Sequence, residues 1–184
     1  MSLRVGGHMV LDDVSLQVRA GELVVVEGNR ASGKSSLARV AAVLRRPDVG
    51  EVWIGERDVA TLQEGSLPYV RRNIGFYSGD LPLLAPLSAL ENVMLAAGAR
   101  GFEPAQAREL AVRALGRVGI VGCATRAVGA LSSAERQLVA VARALAGAPP
   151  LPVLDDPSAH LAPNDAGAVL SALLGVVEVG GAAL

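Results

Sequence analysis

Along the chain, the spacing of apolar positions alternates between strand and helical period. Residues 9–18 mix apolar and charged side chains in strand-like alternation, and after Ala20-Gly21 the unbroken run Leu23-Val24-Val25-Val26 reads as a buried strand. Gly28 ends that run. Residues 34–46 then carry Leu37, Val40, Ala41 and Leu44 on one helical face, with Arg39, Arg45 and Arg46 outside it, and Pro47-Asp48 with Gly50 is expected to stop the helix. Short strands are predicted at Glu51-Val52-Trp53-Ile54 and, after the basic pair Arg71-Arg72, at Ile74-Gly75-Phe76-Tyr77. From about 83 to 147 the period becomes helical, over 87–97, 104–118 and 133–146, which predicts a helical insert. Val153-Leu154 returns to strand, and Asn164-Asp165 reads as the cap of a last helix ending near 177. The tail 166–184 is apolar except for Ser171 and Glu178 and nearly long enough to span a bilayer, but Gly175, Gly180 and Gly181 interrupt it, so a helix followed by the start of a strand is expected.

Composition narrows the classes. At 184 residues, 51% hydrophobic and 19% charged, the chain is long enough for one packed domain. A net charge of −1 and 3% aromatic residues leave little to neutralise or stack a nucleic acid, so none is expected as partner. Cys123 is the single cysteine, and the N-terminus lacks the charged-then-apolar order of a signal peptide, which points to the cytoplasm. Of the 17 basic residues Lys34 alone is lysine, so position 34 has a use for a compact ammonium.

That lysine lies in Gly28-Asn29-Arg30-Ala31-Ser32-Gly33-Lys34-Ser35, which fits G-x-x-x-x-G-K-[ST] between a predicted strand and a predicted helix. In this motif backbone N–H groups and the helix N-terminus cradle phosphate oxygens, the lysine bridges the β- and γ-phosphates, and the hydroxyl of Ser35, followed by Ser36, faces Mg²⁺. Kinases, GTPases and motor-type ATPases all remain open at this point. Asp155-Asp156-Pro157-Ser158 is not D-x-x-G and no N-K-x-D element exists, which disfavours a GTPase.

The second half resembles the ATP-binding subunits of ABC systems. Leu131-Ser132-Ser133-Ala134-Glu135 with Val139-Ala140-Val141-Ala142-Arg143-Ala144-Leu145 is similar to the family's signature motif and helix. Val153-Leu154-Asp155-Asp156-Pro157-Ser158 is similar to its Walker B strand, and Leu90-Glu91-Asn92-Val93 to the entry of its helical subdomain. Gly50-Glu51-Val52-Trp53, the stretch 67–76 and Leu83-Leu84 most resemble the FtsE type of cell-division ATPase and the related lipoprotein-release and macrolide-export ATPases. The resemblance implies an α/β P-loop NTPase fold: a mainly parallel sheet flanked by helices, an antiparallel N-terminal β piece and an α-helical insert. Residues 1–78 and 148–184 would form the core of a single nucleotide-binding domain, and about 79–147 its helical subdomain. It further implies ATP and Mg²⁺ as ligands, with Gly28, Asn29, Arg30, Ala31, Ser32, Gly33, Lys34, Ser35 and Ser36 binding nucleotide, and Ser35 and Asp155 holding the metal. Asp156 would polarise the attacking water. Ser132, Ser133 and Ala134 would reach the nucleotide of a second subunit set head to tail. A permease-like membrane subunit is implied as the other partner, placing the chain on the inner face of the cell membrane.

Departures from the family pattern bear on turnover. Ala31 takes the place of a third P-loop glycine, Val5 that of an aromatic ring under the adenine, and Gly79 that of a metal-reaching glutamine. Ser133 and Ala134 replace two glycines, Asp156 is one methylene shorter than the usual glutamate, and the switch histidine expected after the last helix finds no match, His160 preceding that helix. Two functions follow: an ATPase subunit that drives a membrane partner, with slow hydrolysis, or an impaired or truncated nucleotide-binding regulatory subunit with little turnover.

Overall fold

The computed structural model describes residues 1–80 and 82–184, so Leu81 of the insert lies outside the described residues. Two of the apolar runs pair in parallel: β5 (Ile74–Ser78) lies beside β6 (Leu151–Asp155), in register from Ile74 opposite Leu151 to Ser78 opposite Asp155. Pro152, Val153 and Leu154 are buried, as befits a parallel strand covered by helices. α1 (Lys34–Ala41) and α5 (Ser133–Leu145) both pack against this pair. Gly75 lets α5 lie directly on β5, because a Cβ there would run into the Ala144 carbonyl. The antiparallel part is two ribbons, β1 (Leu3–Val5) with β2 (His8–Leu11) and β3 (Trp53–Ile54) with β4 (Arg57–Asp58).

The run Leu23-Val24-Val25-Val26 departs from expectation. It is not a strand but an extended segment with a single parallel bridge, Leu23 to Ala183. Nor does it neighbour β6. The residues 181–184 run between the two: Val24 N–H donates to the Ala183 carbonyl at 2.9 Å on one side, and Leu154 N–H to the Leu184 carbonyl at 2.7 Å on the other. A ladder needs a partner along its length, and this one reaches only Val24. Val25 is therefore 69% exposed and Val26 36%, beside an open slot of about 760 Å³ bounded by β6 and the last helix.

Helix bounds shift for local reasons. α1 ends at Ala41, not near 46, because the chain turns at Val43, whose φ of 59° is left-handed and whose carbonyl accepts Arg71 Nε–H at 2.9 Å. The last helix, α6 (Pro163–Glu178), starts at Pro163, and Asn164 and Asp165 occupy its first turn without capping it. Pro is favoured at that first position since its missing N–H has no partner there anyway. α2 (Leu67–Arg71) likewise starts beside Pro68, where no helix is predicted. Among the described residues no helix is long and apolar enough to cross a membrane.

The helical insert comprises α3 (Ala89–Ala99), α4 (Pro104–Arg117) and α5. Ser88 with Glu91 and Ser132 with Glu135 form capping boxes that fix where α3 and α5 begin. Asn92, fully buried, clasps the loop before α3, accepting from Leu84 N–H at 2.7 Å and donating to the Leu84 and Ser88 carbonyls at 3.1 and 3.0 Å. Arg100 ties insert to core by donating to the carbonyls of Arg72, Ile74, Ala96, Ala144 and Ala146, and its burial lowers the guanidinium pKa from its usual value.

Candidate functional site

The loop 28–33 turns sharply from the extended segment into α1, and its glycines are placed where side chains would collide. A Cβ on Gly28 would stand 2.7 Å from Ser32 Oγ, and one on Gly33, at φ 93°, 2.6 Å from the Val10 carbonyl of β2. Ala31 adopts a φ of 62°, the left-handed region in which its methyl is strained by about 1 kcal/mol. Ala31→Gly is therefore expected to stabilise the chain by no more than about 0.6 kcal/mol once the greater freedom of unfolded glycine is deducted. A melting temperature that falls on this substitution would contradict the strain. Lys34 folds back over the loop, donating from Nζ to the Gly28 and Asn29 carbonyls at 2.6 and 2.7 Å and to Ser32 Oγ at 3.4 Å. Asn29, Arg30, Ala31 and Ser32 are exposed, and Ser36 is half-buried in the first turn of α1. An ammonium and consecutive backbone N–H groups at a helix start are suited to a polyphosphate.

Ser35 Oγ, at the start of α1, donates to Asp155 Oδ1 at the end of β6, 3.0 Å away. Residues 120 positions apart thus converge, as the sequence predicts. The other oxygen, Oδ2, accepts from Ser78 Oγ at 3.3 Å. Asp156 follows with φ 53°, a left-handed conformation that Asp tolerates better than most residues. The carbonyl of Pro157, one residue on, accepts Gln137 Nε2–H from α5 at 2.8 Å. Burial, then the charges of Asp156 and Asp155, push the Tyr77 hydroxyl pKa up. On the far side of the loop, Arg39 of α1 pairs with Asp80 at 2.6 Å. Gly79, between Ser78 and Asp80, offers no ligand.

Lys34, Ser35, Asp155, Asp156, Ser133 and His160 all line one cavity of about 960 Å³. Ser132 and Ala134 are not among its lining residues. The Ser132 hydroxyl is occupied at the head of α5, where its oxygen accepts Glu135 N–H at 3.2 Å while the Glu135 carboxylate accepts Ser132 N–H at 2.7 Å. That backbone bond first, then the Cys123 thiol and the Ser132 hydroxyl, hold Glu135 down at about 2. Cys123 Sγ donates to Glu135 at 3.1 Å and packs beside the core of the insert, the structural role expected for it.

Among the described residues no three His, Cys, Asp or Glu side chains gather to hold a metal. One hydroxyl and one carboxylate on neighbouring elements, both hard oxygen donors, fit Mg²⁺, which takes few protein ligands and completes its shell with phosphate and water. Sequence reasoning missed Ser78 and Gln137. A polar residue closing the apolar run 74–77 at the end of a parallel strand was the available signal for Ser78, since ligands gather at that edge. For Gln137 there was none.

A family model described as ABC transporter matches residues 11–159. The lipoprotein-releasing system ATP-binding protein LolD of Paramagnetospirillum magneticum is 39% identical over 95% of this chain and 77% of its own, and that of Granulibacter bethesdensis 39% over 92% and 75%. Among solved structures, the dimeric post-hydrolysis state of the ATP-binding cassette MJ0796 bound to ADP and Pi is similar with a TM-score of 0.89 and 29% identity, covering 99% of this chain and 82% of that one.

Proposed function

The chain belongs to the ABC transporter family as an ATP-binding, ATP-hydrolysing subunit, and from that premise we propose that it binds Mg-ATP at the Gly28–Ser36 loop, with Ser35 and Asp155 on the metal and Asp156 orienting the attacking water. The 3.0 Å contact of Ser35 with Asp155 carries this reading, because it joins the two motifs that must share one cation. When bound, Mg²⁺ supplies charge for the β- and γ-phosphate oxygens. The chain's own groups do the rest: Lys34 leaves the loop carbonyls for the phosphates, the loop N–H groups bind them, and Asp156 accepts a hydrogen bond from water.

Residues 1–78 and 148–184 serve as the nucleotide core and about 79–147 as the helical subdomain. A second copy set head to tail is the partner across the nucleotide. The dimeric form of the MJ0796 cassette supports this. The LolD relatives support the lipoprotein-release branch of the expectation over the cell-division branch. A permease-like membrane subunit, with this chain peripheral on the cytoplasmic face, is the matching partner.

An ATP-binding titration beside a phosphate-release assay, each with and without Mg²⁺, tests the reading. Saturable binding with Mg²⁺-dependent phosphate release is expected, and a chain that binds no ATP overturns it. Asp156→Glu is expected to raise turnover less than about tenfold, because the added methylene moves the carboxylate toward the water while the left-handed backbone tolerates Glu less well. A fall in turnover would show that Asp156 is already well placed.

A further inference from the structure

We propose that Ser78 is a positioning residue for the metal carboxylate: its hydroxyl fixes the plane of Asp155 so that Oδ1, with Ser35, is presented to the cation of a bound Mg-nucleotide. This rests on the functional reading above. An ionised carboxylate only accepts hydrogen bonds, so Ser78 Oγ is the donor in its long 3.3 Å contact to Oδ2, and it shares its one proton with the neighbouring Asp80 carboxylate, whose pKa that hydroxyl lowers. Ser35 donates to the other oxygen at 3.0 Å. Asp155 thus has a hydroxyl beside each oxygen, one from a loop-helix residue and one from the strand next door.

The second of these contacts is built into the sheet. Ser78 and Asp155 stand directly opposite each other in the parallel register, at the ends of β5 and β6, so backbone hydrogen bonds set the distance between them. Ser78 is 4% exposed, one of two buried polar or charged residues among those described; the other, Asn92, has a structural use in clasping its loop. Gly79 follows and provides no side chain that could take over the task. A group that accepts from two hydroxyls and then meets a cation loses little freedom on binding, and partners of this kind typically govern metal affinity by 10–100-fold.

The test is the Mg²⁺ concentration needed for tight binding of a fluorescent ADP, measured on the full chain with Ser78→Ala and Ser78→Cys. Ser78→Ala is expected to raise the Mg²⁺ midpoint by about tenfold or more while leaving the affinity for ADP in EDTA unchanged, and Ser78→Cys, a weaker donor of similar shape, to fall between. In an Asp155→Asn background Ser78→Ala is expected to add no further shift, since the two residues act as one unit. An unmoved midpoint, or equal losses of ADP affinity with and without Mg²⁺, overturns the proposal. If Ser78→Ala melts, the Ser78→Cys midpoint decides alone. Should the unaltered chain bind ADP with no Mg²⁺ dependence, the functional reading itself fails; a Mg²⁺-dependent chain indifferent to Ser78 sinks only this proposal.

Discussion

Lys34→Ala is expected to lose the thermal stabilisation that Mg-ATP confers on the unaltered chain. A ligand present at about 100 times its dissociation constant stabilises the native state by roughly 2.7 kcal/mol, or roughly 5–10 °C in a domain of this size. The ammonium is the chain's single lysine, and no arginine side chain can replace it as a compact donor inside the loop. It also closes the ligand-free loop by bonding the Gly28 and Asn29 carbonyls, so its loss also loosens the loop at rest. Melting both proteins without nucleotide separates the two effects: the resting change should be small, because α1, Gly33 and β2 still hold the loop. A full ATP-induced shift in Lys34→Ala would remove the lysine from the binding reading.

The second large effect concerns Asp155→Asn, which is expected to cut Mg²⁺-dependent phosphate release by on the order of 10²-fold or more, a cost typical of losing one preorganised electrostatic group. The amide keeps the shape, and both neighbouring hydroxyls can turn to suit it, Ser35 at 3.0 Å and Ser78 at 3.3 Å. The fold should therefore survive with its melting temperature little changed. What disappears is the negative charge facing the cation. Turnover within twofold of the unaltered chain would mean that the metal is held elsewhere.

How much of this was legible in the sequence depended on how local the determinant was. The loop 28–35 could be read because its chemistry sits in eight consecutive residues, and the helices of the insert because their apolar positions repeat over three or more turns. Leu23-Val24-Val25-Val26 misled, since an apolar run states that burial is favourable but cannot say whether a neighbour arrives to cover it. α2 and the start of α6 were hidden behind Pro68 and Pro163, which end helices in most contexts but are accommodated in the first turn. Ser78 and Gln137 act across 77 and 20 positions, through a register and a helix contact that no spacing encodes.

The half-laddered segment ahead of the phosphate loop sets where the molecule opens first. Beyond Val24 the amides of Val25, Val26 and Glu27 make no backbone hydrogen bond among the described residues and border the slot, whereas β5 and β6 pair with each other under the helices. Deuterium should enter the first group with an opening free energy near zero and the second only at close to the global unfolding cost. Glu27 adjoins Gly28, so a phosphate seated on the loop must quiet this same stretch. Nucleotide should thus slow exchange at 25–27 more than at any strand amide, and part of its binding free energy is spent on ordering three residues that the resting protein leaves loose.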